Sequence, residues 1–116
     1  TMNGDGEQTR DFTFVENAIQ ANVRALFAGS AADNQVVNIA CAERISLNIL
    51  WEELQAISGV TLPANYGPNR AGDVRDSLAD ISKADRLLGY KPQVTVRDGL
   101  KKTYDWFIAN TEFLNS

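Results

Sequence analysis

Apolar residues fall along this chain at two spacings, one helical and one extended. Val15, Ile19, Val23 and Leu26 recur at helical spacing, with Ala18 and Ala25 beside them. Thr13-Phe14-Val15-Glu16 fits a capping box in which Thr13 caps and Glu16 reaches back. Gly29 supplies a stop, so a helix is predicted from about Phe14 to Ala28. Thr9 to Phe14, just ahead of it, is expected to form a short strand ending in two aromatics. After a polar turn, Val36-Val37-Asn38-Ile39-Ala40-Cys41 is compact and β-branched, which predicts a buried strand. A second helical stripe, Leu47, Leu50, Trp51, Leu54 and Ile57, opens at the capping residue Ser46 and closes at Gly59. Val60 to Pro63 is expected to form a brief strand. Gly67 and Pro68 punctuate a loop from Ala64 to Ala71, and Val74 to Ala79 is expected to be extended. Ser82-Lys83-Ala84-Asp85 is a second capping box, opening a short helix that closes at Gly89, and Pro92 bars its continuation. Thr95 caps the last helix, which turns Val96, Leu100, Thr103, Tyr104 and Phe107 inward, with Trp106 beside that stripe. About four helices alternating with short strands read as an α/β (α+β) fold. No repeat, low-complexity tract or linker divides the chain, so residues 1–116 are expected to form a single domain.

Composition narrows the function classes. A chain of 116 residues can bury about two-thirds of its unfolded surface, enough for a core without staples. A hydrophobic share of 44% and a charged share of 22% are ordinary for a soluble globular protein. The net charge of −4 argues against nucleic acid as a partner. Cys41, the one cysteine, reads as a small core residue and can form no internal disulfide, which suits a reducing, cytoplasmic compartment. The first ten residues are polar, so no signal peptide is expected, and no run approaches the roughly 20 apolar residues of a membrane span. Histidine is absent, which excludes Ser-His-Asp and Cys-His nucleophile systems and any zinc site built on histidine. Asp5 and Glu7 lie in a glycine-rich polar turn with no further carboxylate focus, so no metal is expected there.

Two arginine-bearing segments carry the candidate chemistry. One is Gly4-Asp5-Gly6-Glu7-Gln8-Thr9-Arg10-Asp11-Phe12; the other is Arg70-Ala71-Gly72-Asp73-Val74, continuing through Ser77-Leu78-Ala79-Asp80-Ile81-Ser82-Lys83-Ala84. An arginine fork matches phosphate oxygens in a bidentate way, and two convergent forks suit a diphosphate. Gly72, lacking a side chain, lets a ligand approach the backbone beside Arg70. Asp11 would point to the opposite strand face from Arg10 and reads as structural, holding a loop or a helix N-terminus. Arg24, Arg86 and Arg97 read as solvated surface charges, and Asp98, Asp105 and Glu112 as the solvent side of the last helix.

From Asn3 to about Phe107 these segments resemble the C-terminal part of extended short-chain dehydrogenases/reductases, in particular UDP-glucose and UDP-N-acetylglucosamine 4-epimerases of the NAD-dependent epimerase/dehydratase family. The chain would correspond to the last third or so of such an enzyme. The resemblance implies that Arg10 and Arg70 contact the UDP phosphates. It places Asp73 near the ribose and the arginine, accepting from ribose hydroxyls or orienting the Arg70 fork. Phe12 matches a family aromatic position, with core packing its expected job, and Ser77 is at best a weak site candidate. The parent reaction would be transient oxidation at C4 of the sugar, rotation, and return of the hydride to the other face.

The family's catalytic parts are not found in these residues. None of the eight glycines falls in the Gly-x-x-Gly-x-x-Gly turn that receives NAD ahead of a helix. Four residues beyond Tyr66, Tyr90 and Tyr104 lie Arg70, Val94 and Ile108, so no tyrosine-lysine pair can be placed. The expectation is therefore a nucleotide-sugar-binding region with no catalytic residue, NAD site or metal site of its own, inactive alone and binding UDP-sugar weakly or not at all. The other reading is a stand-alone truncated binding or oligomerisation module. Without the nucleotide-binding part, Val36–Ala40 and the Val15–Leu26 helix are expected to expose apolar surface and drive homo-oligomer formation.

Overall fold

A computed structural model describes residues 1–114. Strands β1 (Met2–Asn3), β2 (Thr9–Arg10), β3 (Ile45–Ser46) and β4 (Tyr66–Gly67) are interspersed with helices α1 (Val15–Leu26), α2 (Leu47–Ser58), α3 (Ser82–Leu88) and α4 (Val96–Ala109). This is the mixed α/β pattern of four helices and short strands read from the sequence. Strands β1 and β4 pair in parallel, Met2 opposite Tyr66. Strands β2 and β3 pair antiparallel, Thr9 opposite Ser46 and Arg10 opposite Ile45.

Helix ends follow local chemistry. Ser46 Oγ accepts from the Ile49 amide at 3.2 Å, and Thr95 Oγ1 from the Asp98 amide at 3.2 Å, as expected of N-caps. Gly59 and Gly89 stop α2 and α3 in the left-handed region, at φ of 70° and 63°. The two capping boxes do not form. Helix α1 starts at Val15 after Phe14, with no side-chain cap, and ends at Leu26 with Phe27 as its C-cap, short of Gly29. At α3 the Asp80 carboxylate accepts from the Ser82 amide at 2.9 Å, so the capping acid precedes the helix instead of lying within it.

The strand expectations needed more correction. The strand predicted over Thr9–Phe14 is limited to Thr9–Arg10. Neither Val60–Pro63 nor Val74–Ala79 forms a strand; only Asp76 in the latter bridges to Thr9. The predicted loop Ala64–Ala71 instead contains β4. Val36–Cys41 forms no strand either, because no described segment offers it a ladder; Ala40 and Cys41 are buried while Val36 is 84% exposed. On α4, Val96 is buried and Leu100 and Tyr104 half-buried, but Thr103 and Phe107 face solvent, since no element covers that side.

Helix α1 is inverted relative to its apolar stripe. Val15, Ile19, Val23 and Leu26 are exposed, Leu26 to 80%, while Asn17 and Ala21 are buried. The small core gathers Ala21, Ala84 and Tyr90, with Val37, Ile39, Ile81 and Leu88 packed against it. The Asn17 amide group holds α1 to the approach of α4. Its Nδ2 donates to the Val94 carbonyl at 2.8 Å, and its Oδ1 accepts from the Gln93 and Val94 amides at 3.0 and 3.1 Å. Tyr90 donates its buried hydroxyl to the Ala40 carbonyl at 2.7 Å. Gly99 lets α4 close onto Phe14, where a Cβ would lie 2.6 Å from the Phe14 Cβ. The radius of gyration is 16.9 Å, against about 13–14 Å for a compact domain of this length.

Asp11 is structural, as read: its carboxylate accepts from the Cys41 amide at 2.9 Å and the Ala42 amide at 3.0 Å. Burial, with the Glu43 and Asp11 carboxylates nearby, pushes the Cys41 thiol up to about 11.

Two outcomes follow from this packing. Asn17→Ala strands the buried amide and carbonyl of Val94 and the part-buried Gln93 amide, so urea unfolding should show a loss of about 2–4 kcal/mol. Cys41 holds its proton more tightly folded than unfolded. Its contribution to stability is therefore complete below about pH 8.5 and lost as pH rises toward 11. Iodoacetamide at pH 8 should leave Cys41 unmodified in the folded chain and alkylate it in urea; equal rates in both states would contradict its burial.

Candidate functional site

The site begins with how β2 is held. The Thr9 amide donates to the Arg75 carbonyl at 2.9 Å, and the Thr9 carbonyl accepts from the Ser77 amide at 3.2 Å. Thr9 Oγ1 donates to Asp76 Oδ1 at 2.8 Å. On its other edge β2 pairs with β3. Residues far apart in sequence are thereby laid side by side. Arg10 lands next to Asp73 and forms an ion pair with it, while its Nη1 donates to the Thr9 carbonyl at 2.6 Å. The Asp73 side chain is engaged by Arg10, while its backbone amide donates to the Arg70 carbonyl at 3.2 Å.

Arg10, Arg70 and Asp73 line one cleft of about 360 Å³ with Gln8, Asn3, Leu47, Leu50, Trp51 and Leu54. Arg70, Asp73, Gln8 and Asn3 also line an adjoining cavity that reaches Asn69 and Arg75, with Arg10 outside it. The Arg70 side chain is exposed and makes no hydrogen bond or ion pair among the described residues. Opposite the cations stands the α2 stripe. None of its residues is fully buried, and Leu47, Leu50, Trp51 and Leu54 form an apolar wall of the cleft.

Gln8 was not singled out by sequence reasoning. It is only 7% exposed, and its Nε2 donates to the Asn3 carbonyl at 2.7 Å. That bond fixes the amide orientation, since the other amide atom could not donate to a carbonyl. Its Oε1 is therefore a buried acceptor with no hydrogen-bond partner among the described residues. Only its burial in a polar segment sets it apart, and the sequence carries no signal of that.

The glycine-rich turn is used for close packing. Gly4 and Gly6 have φ of 71° and 75°, and a Cβ at either would overlap the side-chain oxygen of Asn69 or Asn48. The turn is filled by the chain's own side chains and does not precede a helix, so it does not fit a dinucleotide pyrophosphate. Asp5 is occupied by Arg75 at 2.7 Å; that guanidinium and the Glu7 amide hold its carboxyl below the usual range. Glu7 accepts from Asn48 Nδ2. No group of three or more potential metal ligands occurs among the described residues. Ser77 contributes its amide to β2. Arg97 is not merely solvated: it approaches Glu53 at 3.0 Å. No helix among the described residues is long and apolar enough to cross a membrane.

Comparison with known proteins points the same way. A family model for GDP-mannose 4,6 dehydratase matches residues 1–103. A UDP-glucuronate 4-epimerase from Thermodesulfobacterium geofontis is 32% identical over 97% of this chain and 34% of its own length. A UDP-glucose 4-epimerase from Thermotoga maritima, solved with UDP-glucose, superposes with a TM-score of 0.86 at 37% identity, over 95% of this chain and 35% of its own. A UDP-glucuronic acid 4-epimerase from Bacillus cereus, solved with UDP-glucuronic acid and NAD, gives a TM-score of 0.86 at 37% identity over 93% and 34%. The chain thus spans about a third of the length of the relatives it matches.

Proposed function

The chain belongs to the GDP-mannose 4,6 dehydratase family, and from that membership we propose that residues 1–116 act as one nucleotide-sugar-binding region. Arg10 and Arg70 grip the diphosphate, and Asp73 orients Arg10 and accepts from ligand hydroxyls. The observation that carries this reading is the convergence of both arginines, Asp73 and the partnerless Gln8 carbonyl on one cleft. Arginine forks supply donors to phosphate oxygens, and the Gln8 oxygen needs a donor, which phosphate lacks and a hydroxyl or ring N–H provides. A ligand carrying both an anionic bridge and neutral donors satisfies the cleft; a simple anion does not. The solved relatives bound to UDP-glucose and UDP-glucuronic acid support UDP-sugar as that ligand.

These residues bind and orient; they hold no tyrosine-lysine pair, and the glycine turn does not fit NAD. Hydride and proton transfer would fall to the portion of the family fold outside them. With part of the cleft's walls supplied elsewhere, UDP should bind with a Kd of about 1 mM or weaker, near −4 kcal/mol. Titration of the chain with UDP, followed by nuclear magnetic resonance, should give that affinity and lose saturation in Arg10→Ala and in Arg70→Ala, and the chain with added NAD should show no epimerase turnover. Micromolar binding lost in Arg70→Ala would favour a self-sufficient binding module, and turnover by the pure chain would overturn the reading.

A second consequence concerns assembly. The outward apolar face of α1 and the exposed Val36 suit cover by another surface, and the extended radius of gyration fits a unit that does not close its own core. We propose that this face seats the rest of the family fold and that the isolated chain pairs through it. Light scattering should report a dimer or larger at high concentration, reduced to monomer by Ile19→Glu; a wild-type monomer would refute self-association.

A further inference from the structure

We propose that Trp51 is a positioning residue that holds the Arg70-bearing limb against the cleft, an inference that rests on the nucleotide-sugar reading for its ligand but not for its geometry. Between α2 and Arg70 the chain runs through a segment without secondary structure, then β4, then Pro68 and Asn69. The segment is pinned at one peptide-bearing residue. The Leu62 carbonyl accepts from Trp51 Nε1 at 3.0 Å, and the Leu62 amide donates to Gln55 Oε1 at 2.8 Å. Trp51 and Gln55 are four apart on α2 and so share a face. Both backbone groups of Leu62 are thus taken by α2 side chains, although the Leu62 side chain itself is exposed.

The limb is held again further on. The Tyr66 hydroxyl donates to Asn48 Oδ1 at 2.8 Å, also on α2, and the Asn65 carbonyl accepts from the Met2 amide at 2.7 Å. Arg70 follows three residues after β4, with no side-chain bond of its own to fix it. Its place at the cleft therefore depends on where α2 and β1 hold the limb on one side and on the Asp73 amide, which donates to the Arg70 carbonyl at 3.2 Å, on the other. Arg10 is placed differently, by β2 and by Asp73. Trp51 also lines the cleft, so one side chain joins the apolar wall to the limb that carries the free cation. Two arginines of the same cleft should consequently respond differently to the loss of one indole N–H.

Trp51→Phe keeps an aromatic ring and removes the N–H; Gln55→Leu removes the other half of the clamp. Hydrogen exchange of the full chain should show faster amide exchange over residues 62–70 in both variants, with residues 9 and 10 unchanged and helical circular dichroism retained. In UDP titrations, Arg70→Ala should weaken binding about tenfold in the wild-type background and about threefold or less in Trp51→Phe, while the effect of Arg10→Ala stays the same in both. A purely structural role for Trp51 would change both arginine effects alike. Unchanged exchange over residues 62–70 in both variants, or equal coupling to the two arginines, would overturn the proposal. If the wild-type chain binds no UDP, the nucleotide-sugar reading falls, and the exchange result still decides whether the clamp exists.

Discussion

The Thr9 peptide is bonded through both its amide and its carbonyl to residues 75 and 77, while the other edge of its strand pairs with β3. Without that junction the two arginine-bearing segments would be separate surface loops. With it, Arg10 is set beside Asp73, and the limb bearing Arg70 passes the same cleft. A two-residue strand has little stability of its own. It persists because partners flank it on both sides and because the Thr9 side chain adds a bond to Asp76. The site is therefore a product of backbone pairing across long sequence separations.

Sequence patterning disclosed the helices better than the strands. The α2 and α4 starts were legible because Ser46 and Thr95 act through bonds to amides three residues on. The Gly59 and Gly89 stops were legible because a left-handed residue is needed there. Strands β1, β3 and β4 were not, since two residues give no period to count and their pairing is set by contacts from elsewhere in the chain. Val36–Cys41 has the composition of a buried strand yet forms none, because strand composition does not supply a neighbour. The polar inward face of α1 was hidden for a related reason: Asn17 is buried by what it bonds, the 93–94 backbone, and no residue-type rule announces that.

The candidate cleft was partly legible. Arg10, Arg70 and Asp73 could be named from motif resemblance, and the structure lines one cavity with all three. The pairing of Asp73 with Arg10 could not be foreseen, because it depends on β2 being laid against residues 75–77. Gln8 was invisible for want of any local signal, and the spacing of the α2 stripe could not show that it walls a cleft, because helical periodicity does not distinguish a core face from a cleft wall.

The two cations of the cleft differ in readiness for an anion. Arg10 already has a carboxylate and a carbonyl on its fork, so its position is fixed before any ligand arrives. Ion pairs near a surface contribute about 0–1 kcal/mol, so a phosphate can share or replace Asp73 on that fork at small cost. Arg70 has no side-chain partner among the described residues, so engaging an anion would cost it side-chain freedom worth about 1–2 kcal/mol. Preorganisation on one side and recruitment on the other make net attraction depend on what restrains Arg70 beforehand. Within these residues that restraint comes from α2 and β1 acting on the limb, together with the Asp73 amide bonded to the Arg70 carbonyl, and the α2 share links the apolar wall of the cleft to its charge.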